Sequence, residues 1–342
     1  MRNTAERCDV AIIGAGPAGL FAVFECGMLD IGCQLFDALP APGGQCSALY
    51  PEKPIYDIPG HPRIDAAELV DRLLDQAAPF APVFHLGHAV AALTATADGY
   101  VVENAAGRRV AARAVVIAAG AGAFGPNRPP LPGIAAFEET SVFYLVRRRE
   151  DFRGRRIVIA GGGDAAVDWA LALADIAERV SLVHRRGKFR AAPQSAARLE
   201  RLAAEGRIEL VVPYQLHGLE GDGGRLSAVI VADPAGQTRR LAADCLLPFF
   251  GLASDLGPLA AWGLDLDHSR IRVDPATCAT SRRGIFAIGD VAAYPGKLKL
   301  ILTGFAEAAL AAHAIHQLVH PGHALHFEYS TTKGVPGGVP GR

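Results

Sequence analysis

A chain of 342 residues exceeds one average domain and predicts two. A formal net charge of −1 and a pI near 6.8 argue against nucleic-acid binding, and no apolar run approaches the roughly 18 residues of a membrane span. Residues 123–250 carry 18 Lys and Arg against 15 Asp and Glu, with 16 against 20 elsewhere, which points to an anionic ligand in the middle of the chain.

The opening MRNTAERCDVAII has no apolar core long enough for a signal peptide. The six cysteines, at 8, 26, 33, 46, 245 and 278, form no CxxC and no metal-like pairing of pairs. They predict free thiols in a reducing, cytoplasmic compartment.

CDVAIIGAGPAGL (8–20) predicts a buried strand, a glycine turn and a helix. Gly14, Gly16 and Gly19 fit GxGxxG: the first for the tight turn, the second for approach of a pyrophosphate, the third for close helix–strand packing. Ala18 stands at the helix start, where exposed amides favour phosphates. A second strand, CQLFDA (33–38), ends in Asp37, 23 residues after Gly14, placed to accept hydrogen bonds from a ribose diol. Strand, turn, helix, strand and acid together predict a first dinucleotide site.

RRIVIAGGGDAAVDWALALADIAERVSLVHRR (155–186) repeats the plan. Gly161, Gly163 and Ala166 hold the glycine positions, with Asp164 and Ala165 between them at the helix start. Here the second strand ends in His184, Arg185 and Arg186, followed by Lys188 and Arg190. An acid would repel a 2′-phosphate, whereas guanidinium groups bind it bidentately, so this site is expected to hold NADP(H). A third element, RRGIFAIGDVAAYPGKLKL (282–300), predicts a strand ending in Gly289–Asp290, a loop and then a helix.

GAGPAGLF, GGQCSALYPEK, GAFGPN, GGGDAAVDWAL, VHRRGKFRA and IFAIGDVAAYPGKLKLILTGFAEA are spread over about residues 8–310. Together they resemble the thioredoxin-reductase-like class of ferredoxin–NADP reductases, type 2. The resemblance implies an α/β fold of two Rossmann-like dinucleotide-binding domains, the NADPH domain (123–250) inserted in an FAD domain built from 1–122 and 251–342. Gly/Pro connectors at 118–133 and 249–258 suit hinges about which one domain rotates on the other. The resemblance further implies FAD contacts from Asp37, Gln45, Tyr50, Val90, Phe124, Asp290 and Thr331, with Tyr50 stacked on the isoalloxazine and Tyr329 over its second face. Asp37 departs from the family by one methylene, where glutamate is common.

Cys46 lacks the partner five residues on that glutathione-reductase-type enzymes use, since Pro51 stands there. FYLVRRRED (143–151), where thioredoxin reductases carry CxxC, has no cysteine. A redox disulfide is therefore not expected. The implied activity is hydride transfer from NADPH to flavin N5, followed by single-electron transfer to ferredoxin or flavodoxin, with no acid–base residue and with a homodimeric assembly. An NADPH diaphorase acting on quinones and a non-catalytic FAD/NADPH sensor are the alternatives. Five late histidines (313, 316, 320, 323 and 326) lack an accompanying cysteine or acid, which favours surface residues over a metal site. The run Arg147–Arg149, with Arg153, Arg155 and Arg156, is a candidate for steering an acidic carrier.

Overall fold

The computed structural model describes residues 5–120, 122–323, 325 and 334–335, without the side chains of 123–126 and 252–254. The chain forms two compact units, Met1–Phe124 with Ser254–Arg342, and Gly125–Ala253. It crosses between them through the strands Ala123–Pro126 and Leu252–Asp255, which pair with each other.

The first unit is organised by β1 (Glu6–Ile13), whose apolar half Val10–Ile12 is fully buried. β1 pairs in parallel with β2 (Cys33–Phe36) on one side and with Arg109–Ile117 on the other. Val83–His85 adds a further parallel strand beyond β2. On its other edge the long strand Arg109–Ile117 has two further partners. Its first half pairs antiparallel with Gly99–Asn104, and its second half pairs in parallel with the late strand Ile285–Ala287. The chain thus returns from far downstream to complete the sheet, with Ile285 opposite Val115 and Ala287 opposite Ile117.

Both sheet faces are covered, as near-continuous apolar strands require. One face packs α1 (Pro17–Met28), α3 (Ala66–Ala77) and α6 (Ile301–Val319) around Ile12, Leu20, Leu35 and Ile315. The other packs Tyr100, Val102, Leu259 and Trp262. Complete burial of side chains such as Ile12, Leu20 and Leu35 contributes about 1.5–3 kcal/mol each. α3 is amphipathic, with Leu69, Val70 and Leu73 inside and the Glu68–Arg72 pair outside. The short α2 (Gly44–Ala48) follows β2. α6 begins at Ile301 and stops ahead of Pro321–Gly322, which end it.

In the second unit a four-stranded parallel sheet runs Ile208–Val211, Arg179–Val183, Arg156–Ala160, Cys245–Pro248. α4 (Asp164–Leu173) follows the strand Arg156–Ala160, and α5 (Pro193–Ala204) packs beside α4. An antiparallel meander, Gln215–Asp222, Arg225–Ala232 and Thr238–Ala242, completes the unit. Val158, Val183, Val229 and Leu246 join the two sheets in one apolar cluster.

Candidate cofactor-binding sites

In the first unit, a cavity of about 370 Å³ opens at the carboxyl ends of β1 and β2, where open α/β sheets bind ligands. The glycine turn shapes it. Gly14 has φ +108°, and a Cβ there would lie 2.3 Å from the Ala118 carbonyl oxygen, so the turn and the neighbouring strand end touch backbone to backbone. A Cβ on Gly19 would lie 2.0 Å from the Gly14 carbonyl oxygen; Gly19 serves packing and does not line the cavity. Gly16 faces open space, its one close neighbour being the Gly44 Cα. Gly43 donates its amide to the Ala15 carbonyl at 2.7 Å. The two glycine turns abut, which explains why GGQ follows GAGPAG.

Gly14, Gly16, Ala18, Asp37, Gln45 and Tyr50 all line this cavity, as do Val90 and Asp290. The strand ends at Phe36, and the Asp37 side chain turns back to accept the Ala15 amide at 2.7 Å and the Leu39 amide at 2.8 Å. Burial pushes its carboxyl above the usual range, opposed by those amides. Each carboxylate oxygen has a second lone pair, so acceptor capacity remains for a diol. No side chain caps the start of α1 and its first turn holds no acid, as an anion site demands. Tyr50 is pushed upward in pKa by burial, and Cys46 beside it is raised to about 11, also by burial. The residues therefore fit a dinucleotide carrying a large planar ring. Phe124 lies in the strand Ala123–Pro126. Tyr329 and Thr331 lie outside the described residues.

The second unit has its own glycine turn. A Cβ on Gly161 (φ +155°) would meet the Phe249 carbonyl oxygen at 2.6 Å and the Ala166 methyl at 2.9 Å. Gly163 has nothing within 4 Å and faces open space. Asp164, in the first turn of α4, is engaged by the Ala192 amide at 3.0 Å, and the Arg190 amide donates to the Gly162 carbonyl at 2.7 Å. Both bonds draw the basic loop onto the glycine turn, while Ala165 stays exposed. Arg185, Arg186, Lys188 and Arg190 are exposed, and His184 is half-buried against the Phe189 ring, centroids 5.2 Å apart. Burial lowers the His184 pKa, and the Arg185, Arg186 and Arg190 charges lower it further. Its buried Nε2 has no hydrogen-bond partner. The exposed guanidinium groups suit an incoming phosphate.

Gly162 and Gly304 were not marked by spacing, yet both sit at close approaches. A Cβ on Gly162 would enter the His184 ring, and one on Gly304 would lie 3.1 Å from the Ala18 Cβ and 3.4 Å from the Gly289 Cα. The triple glycine was the one available signal for Gly162. In the basic run, Arg148, Arg153 and Arg156 sit against Asp151, Glu150 and Asp244, so its field is weaker than the bare sequence implied. His316 and His320 have ring centroids 4.9 Å apart. Among the described residues, no group of three His, Cys, Asp or Glu is placed to hold a metal.

The family model for pyridine nucleotide-disulphide oxidoreductases matches residues 8–317. A ferredoxin–NADP reductase of Paramagnetospirillum magneticum is 64% identical over 331 residues, covering 96% of this chain and 98% of that protein. One of Rhodospirillum rubrum is 63% identical over 343 residues, covering 98% and 99%. The chain belongs to the ferredoxin–NADP reductases of this oxidoreductase family. Among solved structures, the thioredoxin reductase of Lactococcus lactis has TM-score 0.79 at 24% identity, covering 91% of this chain and 99% of that one. That of T. acidophilum has TM-score 0.80 at 22% identity, covering 91% and 98%. These structures share the fold with this reductase-family chain. No helix among its described residues is long and apolar enough to cross a membrane.

Proposed function

We propose that this chain is an FAD-dependent reductase carrying electrons between NADPH and a small one-electron protein, ferredoxin or flavodoxin, in the cytoplasm and as a homodimer. The first unit binds FAD: α1 amides meet the pyrophosphate, Asp37 the ribose, Asp290 the ribityl chain and Tyr50 the ring. The second binds NADPH, with Arg185 and Arg186 on the 2′-phosphate. Bound FAD supplies the exchange of a hydride for single electrons. The chain's own residues bind and orient the nucleotides and keep water from the ring; no side chain is required to move a proton.

The observation that carries this reading is the thiol beside Tyr50. Cys46 is 2% exposed, free and raised to about 11, with Pro51 where a partner would stand. A thiol in that state is neither nucleophile nor half of an exchange disulfide, which supports direct delivery to a protein carrier. All six cysteines are free, as suits a reducing compartment. The test is anaerobic bleaching of the purified yellow protein by NADPH, followed by cytochrome c reduction with and without added ferredoxin. Stimulation by ferredoxin is expected, and a rate indifferent to it would sink the reading.

A further inference from the structure

The strand Ile285–Ala287 ends the parallel ladder at Ile288, whose amide donates to the Ile117 carbonyl at 2.9 Å. The next amide, that of Gly289, has left the sheet and is buried. It donates to Glu307 Oε2 at 2.7 Å. Glu307 stands on α6 and is itself buried, and its other oxygen accepts from the Tyr294 hydroxyl at 2.6 Å and from Lys297 Nζ. The Lys297 and Glu307 side chains are 2% and 3% exposed. The Lys297 ammonium also lies 5.5 Å from the Tyr294 ring centroid. Burial and the Glu307 charge raise the neighbouring Cys278 thiol to about 12.

This cluster stands directly behind the first cofactor cavity. Gly289 (φ +72°) packs against Ala18 and Gly304, and the residue after it, Asp290, lines the cavity. A buried ion pair gives little net stability over apolar residues of the same volume, because desolvation offsets the attraction. What it gives is direction. A carboxylate with three donors fixes the one amide that sets the course of the Gly289–Asp290 turn, where a lost partner would leave buried groups unpaired.

We propose that Glu307, with Lys297 as counter-ion, is a positioning residue for the flavin: by holding the Gly289 amide it aims Asp290 at the cofactor. This rests on the flavin reading above. It separates acceptor geometry from charge, so the decisive comparison uses two charge-neutral double variants. In K297M/E307Q the glutamine carbonyl still accepts from Gly289, and its amide still faces Tyr294. In K297M/E307L no acceptor remains.

The measurement is release of FAD from diluted holoenzyme, followed by recovery of free-flavin fluorescence, with the visible circular dichroism of bound flavin as a second signal. K297M/E307Q is expected within about threefold of wild type, and K297M/E307L about tenfold faster or more, the size of a lost hydrogen bond to a polar acceptor. D290N should speed release in the wild type and in K297M/E307Q but add less than about twofold in K297M/E307L, where Asp290 is already misplaced. Equal release from the two double variants, or a D290N effect that multiplies in full, overturns the proposal. Wild-type protein that takes up no flavin would instead remove the reading on which it rests.

Discussion

The His184 imidazole fills the space above Gly162: a Cβ on that glycine would lie 2.1 Å from Cε1 and 2.3 Å from Nε2. The ring that opens the basic turn is thus seated on the glycine turn it serves. Gly162→Ala must push His184 outward, and Arg185 and Arg186 move with it. We expect KM for NADPH to rise about tenfold or more and Tm to fall by several degrees, since overpacking costs about 1–3 kcal/mol. Gly163→Ala meets nothing within 4 Å, and its φ of −98° suits any residue. It should leave Tm unchanged while raising KM, because the methyl takes the place of the pyrophosphate. Steady-state kinetics with differential scanning fluorimetry separates the two; equal Tm losses would refute the assignment.

Replacing Arg185 by Glu and Arg186 by Ser should invert coenzyme preference. Charge-assisted hydrogen bonds are worth about 1.5–3 kcal/mol each, so removing both lowers kcat/KM for NADPH by about 100-fold or more. NADH lacks the 2′-phosphate and should gain from relief of positive charge, or be unaffected. Ferricyanide reduction with each coenzyme reports the ratio. A variant that still prefers NADPH by the wild-type margin would place the 2′-phosphate elsewhere.

His184 also makes a pH prediction. Its folded pKa lies below the ordinary value of about 6.5, first through burial and then through the neighbouring arginines. A base held neutral in the fold costs stability when the unfolded chain gains a proton that the fold does not. That penalty is absent above the unfolded pKa of about 6.5 and grows as pH falls below it, levelling once the folded group protonates. A bound 2′-phosphate reverses the bias, so NADPH binding should take up a proton at His184 below about pH 6.5. In His184→Gln the proton uptake should fall relative to wild type, as read by isothermal titration in buffers of differing ionisation enthalpy. Identical uptake in the two proteins would remove His184 from the site.

Local spacing made the two glycine turns, Asp37 and the basic turn at 184–190 readable, because each feature sits within one strand–turn–helix unit. Val90 entered only through resemblance; no pattern in VAALTAT marks it as a cavity wall. Asp37 lines the cavity, but nothing local reveals that Ala15 would claim its carboxylate. The Glu307–Lys297 pair was invisible for a different reason. A lysine in a Gly/Pro loop and a glutamate in an alanine-rich helix both look solvated, and only the packing of α6 over the Gly289 turn buries them. Spacing encodes contacts within a unit; burial of charge is decided by which units meet.

Cys46 supplies the last test. It lines the cavity beside Tyr50, is nearly inaccessible, and has its thiol raised to about 11 by burial. A thiol this far from ionisation at neutral pH reacts slowly and has little thiolate to offer. Cys46→Ser removes the sulfur but keeps a small side chain, costing about 1 kcal/mol for a buried hydroxyl. NADPH-driven carrier reduction should stay within about twofold of wild type, and alkylation of Cys46 in the native protein should be much slower than that of a free thiol. A Cys46→Ser protein that keeps its FAD yet loses turnover would mean that electrons pass through sulfur, and the direct route from ring to carrier would have to be abandoned.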